Sequence, residues 1–301
     1  MLEITIPVQI FLQVSIPLLI GWLLIRRYGT GNTDNLRIFL GGVISFAAAQ
    51  AILLVLSQVI GGLGLPSIAV EWQGVATAVA FGLGVGILEE LARFAVLQFW
   101  LRDVRSWAHG LMLGVGHGGA ESAFSGGVGL IWFMTMSSLR AGPPAGQEIT
   151  EAEKANLDQL LASFWSTPWL TPLLSGVQQI CMVLVSLGLA TLVMRVFLTG
   201  KLVYLPAAMA LHSLAAGSLV LLGQVGLVYS VAAAAGFAAI GLLIVYRFAQ
   251  PPPAIASAPP LLAESDKTSP AKPTRPRKKG ARKPRAKASA KTSEATGTPE
   301  V

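Results

Sequence analysis

Charge is the first thing this sequence lacks. Only 12% of its 301 residues are Asp, Glu, Lys or Arg, while 53% are hydrophobic. A soluble globular domain carries roughly 25% charged residues, so the composition argues for the bilayer as solvent. Cysteine is nearly absent too. Cys181 is the single thiol and lies within an apolar run. That excludes an internal disulfide and a cysteine-based zinc site, and leaves Cys181 as a small buried hydrophobe. The His-Glu-x-x-His, Gly-x-Ser-x-Gly and phosphate-loop signatures of soluble enzymes are also missing. The first apolar run has no basic n-region and no Ala-x-Ala-like site. It carries Glu3 and is followed by Arg26-Arg27, so it is expected to stay as a helix rather than leave as a signal peptide.

What is present is a series of seven apolar segments, at 6–26, 38–60, 73–100, 107–137, 169–197, 202–222 and 225–248. Each exceeds the roughly 20 residues that cross a bilayer core. The expected fold is therefore all-α: a polytopic, multi-pass bundle of about seven transmembrane helices in the cell membrane, spanning residues 1–249. Arg26, Arg27, Arg37, Arg102, Arg105, Arg195, Lys201 and Arg247 flank one set of connections, against Arg140 and Lys154 on the other. This bias predicts an external N-terminus and a cytosolic C-terminus. The long connection 140–168 is acidic, with Glu148, Glu151, Glu153 and Asp158.

The net charge of +7 resides in the tail. Residues 1–249 hold 11 basic and 11 acidic residues, whereas 250–301 hold 11 and 4. The tail opens at Pro251 and is rich in Pro, Ala, Lys and Arg. It lacks the apolar surface to fold and is expected to be disordered, free to attract anionic lipid. No aromatic residue interleaves its charges, so no specific nucleic-acid partner is expected.

Inside the spans the few ionisable groups concentrate. The third segment contains Glu89, Glu90 and Arg93, the fourth His117 and Glu121, the sixth His212. Counted at 1.5 Å per residue from the segment ends, Glu89, Arg93, His117, Glu121 and His212 fall about 13 to 21 Å deep. Charges at such depth are costly and usually face a bundle interior. Glu89 and Arg93 share a helix face, as do His117 and Glu121. Glu90 is turned about 100° from Glu89, so one carboxylate can pair with Arg93 while the other faces a cavity. Gly110, Gly114, Gly116, Gly118, Gly119, Gly126, Gly127 and Gly129 surround His117 and allow close helix approach or room for a substrate. Gln178 and Gln179 are expected at similar depth, as donors to a polarised carbonyl or as packing contacts.

A carboxylate beside a cavity can act as general base on water. An imidazole can stabilise an oxyanion or ligate a metal, and two histidines with a carboxylate form a common zinc hydrolase set. Both schemes lead to amide hydrolysis within the membrane. A transporter or ligand-binding protein would use the same residue types, although no internal repeat of the transporter kind is visible.

Glu89-Glu90-x-x-Arg93, then Gly116-His117-Gly118-Gly119-x-Glu121, then a late His212, resemble the YhfC family of intramembrane metalloproteases. Its motif logic is similar to that of the PrsW proteases and the CAAX-protease and bacteriocin-processing superfamily. The resemblance covers roughly residues 1–248. It implies an intramembrane peptidase acting on membrane proteins or peptides, with Glu89 or Glu90 activating water and Arg93 as their basic partner. His117, Glu121 and His212 would hold metal or stabilise the oxyanion, with zinc or without it. Two departures stand out. The CAAX-type first motif has three residues between Glu-Glu and Arg, and this chain has two. The last histidine is often followed four or five residues later by Asp or Asn, whereas Ala216 and Gly217 stand here. A catalytically dead relative that binds transmembrane segments is the further alternative.

Overall fold

A computed structural model describes residues 1–28, 32–62, 70–141 and 150–249. Among these the chain forms eight α-helices: α1 (Leu2–Tyr28), α2 (Asn32–Gly62), α3 (Val70–Ala95), α4 (Trp107–Arg140), α5 (Glu151–Trp165), α6 (Leu170–Thr199), α7 (Tyr204–Val225) and α8 (Leu227–Phe248). A π-helical turn, Val96–Trp100, continues α3. The basic tail and Glu148 of the acidic connection lie outside the described residues.

Six of the helices, namely α1, α2, α3 with its π turn, α6, α7 and α8, are long and apolar enough to cross a membrane. Phe11, Ile131 and Leu243 are among many large apolar side chains more than 60% exposed. Apolar surface on that scale belongs in lipid rather than water. The chain is a multi-pass membrane protein.

The expected span at 107–137 corresponds to α4, and it falls short of the apolarity of the other six. The reason is its place in the bundle. α4 packs against α1, α2 and α6, and every residue from Gly110 to Gly119 is buried. A helix wrapped by other helices need not be apolar on all sides, so glycine, serine and histidine replace leucine and valine there. α6 is the other interior element, with 72% of its apolar window buried against 17–33% in the other five spans. α7 packs chiefly on α3 and α8.

The 140–168 connection departs from the expected loop, because it contains α5. Thr150 and Glu153 form a capping box: Thr150 Oγ1 accepts from the Glu153 amide at 3.3 Å, and Glu153 Oε2 accepts from the Thr150 amide at 2.8 Å. Thr-x-x-Glu is the sequence signature of this start. No described side chain of α5 is buried, and Trp165 at its end lies under the Arg140 guanidinium, 4.5 Å from the ring centre.

Helix ends at the connection between α3 and α4 are fixed by side chains. Arg105 donates to the carbonyls of Leu101 and Val104 at 2.7 Å and of Leu97 at 3.1 Å, satisfying acceptors that the end of the π turn exposes. Ser106 caps α4 by accepting from the His109 amide at 3.2 Å. Arg37 pairs with Asp103 and ties the start of α2 to this connection. That hydrogen bond holds the Asp103 carboxyl below its ordinary range.

Close backbone approach decides where glycine is required. A Cβ at Gly42 of α2 would stand 2.6 Å from the His117 amide nitrogen, and one at Gly116 of α4 would stand 2.9 Å from the Phe39 carbonyl carbon. The two helices therefore touch main chain to main chain beside His117. Gly127 and Gly129, on the same helix, face open space. We expect Gly42→Ala to lower stability by about 1–3 kcal/mol through overpacking and Gly127→Ala to leave it nearly unchanged, as read from thermal unfolding in detergent.

Candidate functional site

The site begins with two adjacent carboxylates on α3. Glu90 turns toward Arg93 and accepts from Nη1 of that guanidinium. The same Glu90 Oε1 stands 2.8 Å from His212 Nδ1. Arg93 Nη2 donates to Ser186 Oγ of α6 at 3.0 Å, and Ser186 donates onward to the Gly114 carbonyl of α4 at 3.0 Å. Glu90 and Arg93 thereby link α3, α4, α6 and α7 through one buried ion pair.

Glu89 is turned the other way. Its Oε1 accepts from Gln50 Nε2 of α2 at 3.0 Å. Its Oε2 lies 2.7 Å from His117 Nε2 and 3.7 Å from His212 Nε2. Arg93 Nη2 is 3.9 Å away, a secondary contact. Of the two carboxylates, one pairs with arginine and the other lines a cavity, as the 100° offset between neighbouring helical positions anticipates. Glu89, Glu90, Arg93, His117 and His212 are each no more than 2% exposed.

Hydrogen-bond logic orients both imidazoles. Ser45 has one hydroxyl proton, and donation to the Gly42 carbonyl at 2.7 Å uses it. With that proton directed at the carbonyl, Ser45 Oγ accepts from His117 Nδ1 at 2.8 Å, which assigns the Nδ1–H tautomer to His117. Glu90 is an acceptor when ionised, so His212 Nδ1 also donates. In each neutral ring the remaining Nε2 carries a lone pair, and both Nε2 atoms face Glu89 Oε2. A lone pair opposite a carboxylate oxygen at 2.7 Å requires a positive species between or on them, a proton or a cation. Formal charge points the same way. Glu89 and Glu90 against Arg93 leave one negative charge, and an ionised Glu121 leaves two, in surroundings where unbalanced charge is expensive.

A cavity of about 300 Å³ opens beside this cluster. Glu89, Glu121, His212, Gln50, Gln178 and Gln179 supply its polar lining. Glu121 therefore joins Glu89 and His212 at the cavity. It does not support His117, as their spacing of four suggested, because both nitrogens of that ring are taken by Ser45 and Glu89. His109 stays at the start of α4, and Ser122 donates to the Gln13 carbonyl at 2.8 Å, away from the histidines.

Ser45, Gln50 and Ser186 carry the orientation of the site and were not singled out from sequence. Their signal was faint: a glutamine inside the apolar run of α2, and two serines of a type common in membrane helices.

Among the described residues no three of His, Cys, Asp and Glu are spaced as a ready-made metal cage. His117 Nε2 and Glu89 Oε2 stand at hydrogen-bonding distance. By donor chemistry the residues nevertheless suit a divalent cation: two Nε2 lone pairs, a facing carboxylate oxygen, and each Nδ1 held by an outer partner as metal-binding histidines usually are.

The comparisons with known proteins point in one direction. The family model described as YhfC intramembrane metalloprotease matches residues 13–238, which include every residue of the cluster. The chain is 27% identical over 133 residues to a Bacillus subtilis (strain 168) protein described as "Uncharacterized membrane protein YhfC". That match covers 44% of this chain and 52% of the relative, so the chain spans about half the length of the curated protein it resembles. No solved structure matches.

Two outcomes test the geometry. Arg93→Met removes the guanidinium that balances the buried Glu90, leaving it only His212 Nδ1, and is expected to cost about 3–5 kcal/mol, read from thermal unfolding in detergent. With ¹⁵N-labelled histidine, His117 is expected to show the Nδ1-protonated form when neutral. Ser45→Ala is expected to lose that preference and about 1–3 kcal/mol for the orphaned group.

Proposed function

The chain belongs to the YhfC intramembrane metalloprotease family, and on that premise we propose that it hydrolyses peptide bonds of membrane-embedded or membrane-proximal substrates. One observation carries the reading: the buried Glu89 lines a cavity and has both imidazole Nε2 atoms directed at one of its oxygens.

In this reading Glu89 is the group that moves the proton. It takes one from a water in the cavity as that water attacks the scissile carbonyl, and returns it to the departing amide nitrogen. Gln50 keeps Glu89 aimed by holding the oxygen that does not react. His212 lines the cavity in which negative charge develops on the carbonyl oxygen, while His117 is held against Glu89 Oε2 and positions that carboxylate. As imidazolium, His212 donates Nε2–H to that oxygen, the kind of contact worth about 2.7–4 kcal/mol in such reactions. Glu90 has a different task. Engaged by Arg93 and His212, it orients His212 and balances the guanidinium, and it has little freedom to act as the base.

A divalent cation, when bound, would be held by His117, His212 and Glu89, and would supply Lewis-acid polarisation and a more acidic water. Zinc suits this nitrogen and oxygen set. Glu121 lines the same cavity and is a further oxygen donor for either scheme. The basic flanks of the helices support a cytosolic C-terminus.

Model transmembrane peptides reconstituted with purified protein test the proposal. Glu89→Gln is expected to lower cleavage at least 100-fold, in line with loss of a general base. His117→Ala and His212→Ala are expected to do the same and to release any bound metal, measured by elemental analysis. Cleavage that persists at the wild-type rate in Glu89→Gln would falsify the assignment.

A further inference from the structure

Gln179 is not used by the chemistry above, yet it lines the same cavity as Glu89 and His212. Its Oε1 is buried and has no hydrogen-bond partner among the described residues. Its neighbour Gln178 differs, because Gln178 Oε1 accepts from Ser230 Oγ of α8 at 3.1 Å. A buried amide oxygen without a partner is costly inside a membrane protein. The apolar part of the cavity wall is formed by Phe81, Val85, Met182, Ala216, Leu219 and Val220.

A carboxamide presents one acceptor and one donor group side by side, the same complement that a peptide unit presents. A peptide unit within an intact helix offers neither, because its N–H and C=O are already bonded along the helix. Only a locally unwound stretch offers them, and in lipid such a stretch has nowhere else to bond. We propose that Gln179 is a substrate-binding residue that receives a backbone peptide group next to the scissile bond. The substrate class is then a membrane segment locally unwound into extended form, with an apolar side chain against the Phe81–Met182 wall. This rests on the hydrolase reading for the role of the cavity, but the binding step is testable without cleavage.

The probe is an apolar membrane peptide with a central Gly-Ser pair that eases unwinding. A series of it replaces one backbone amide at a time by an ester, which removes the N–H. Affinity for the full-length protein in lipid nanodiscs is measured together with cleavage. Gln179→Met, similar in length but without the carboxamide, is expected to bind the parent peptide about 5- to 10-fold more weakly. One ester position is expected to cost wild type the same factor and to cost Gln179→Met nothing further. Because the ester series leaves wild-type protein unaltered, a folding defect in the variant cannot imitate its result. Equal affinity of wild type and Gln179→Met, or ester and Gln179→Met losses that multiply at every position, overturns the inference. Binding that follows the expected pattern while wild type cleaves nothing leaves Gln179 in place and removes the hydrolase reading instead.

Discussion

The buried pair between Glu90 and Arg93 is the constraint on which the rest of the structure depends. Neither group can remain in the interior alone. A charge at that depth costs several kcal/mol without a partner, and both are fully enclosed. Their pairing is extended by His212 on one side and by Ser186 and Gly114 on the other. α3, α4, α6 and α7 are therefore held in one register by polar contacts. With Glu90 committed in this way, Glu89 on the next position is directed toward His117 and the cavity. The two neighbouring glutamates have distinct tasks because a helix turns about 100° per residue.

The second constraint is close packing. His117 can reach Glu89 only because α2 and α4 meet at Gly42 and Gly116 without side chains between them. A similar approach joins α3 to α7, where a Cβ on Gly86 would stand 2.8 Å from the Met209 carbonyl oxygen. The small residues do not hold the site by chemistry of their own. They set the distances at which Ser45, Gln50 and the histidines can act, and a methyl group at those contacts would push the imidazoles from the carboxylate.

Much of this was visible in the residues themselves. Apolar length marked the helices that face lipid, and helical geometry separated Glu89 from Glu90. Shared depth groups Glu89, Arg93, His117, Glu121 and His212 from the sequence alone. Other features resisted, each for a physical reason. α4 was expected as a span like the others, but its polar composition reflects enclosure by neighbouring helices, a tertiary fact. Spacing placed Glu121 beneath His117, whereas the ring is engaged by Ser45 and Glu89 from other helices. Spacing along one helix says nothing about which neighbour arrives across the interface. Ser45, Gln50 and Ser186 were inconspicuous because single polar residues in membrane helices are ordinary. α5 was legible in principle, since Thr150 and Glu153 spell its capping box.

The site depends on Glu89 being energetically joined to both His117 and His212. Double-mutant cycles on thermal stability test this directly, pairing Glu89→Gln in turn with His117→Ala, His212→Ala and, as control, His109→Ala. Residues in one hydrogen-bonded network show coupling of about 0.5–3 kcal/mol, whereas distant ones add. Coupling in that range is expected with His117 and with His212 and additivity with His109; simple additivity in all three pairs would contradict the site.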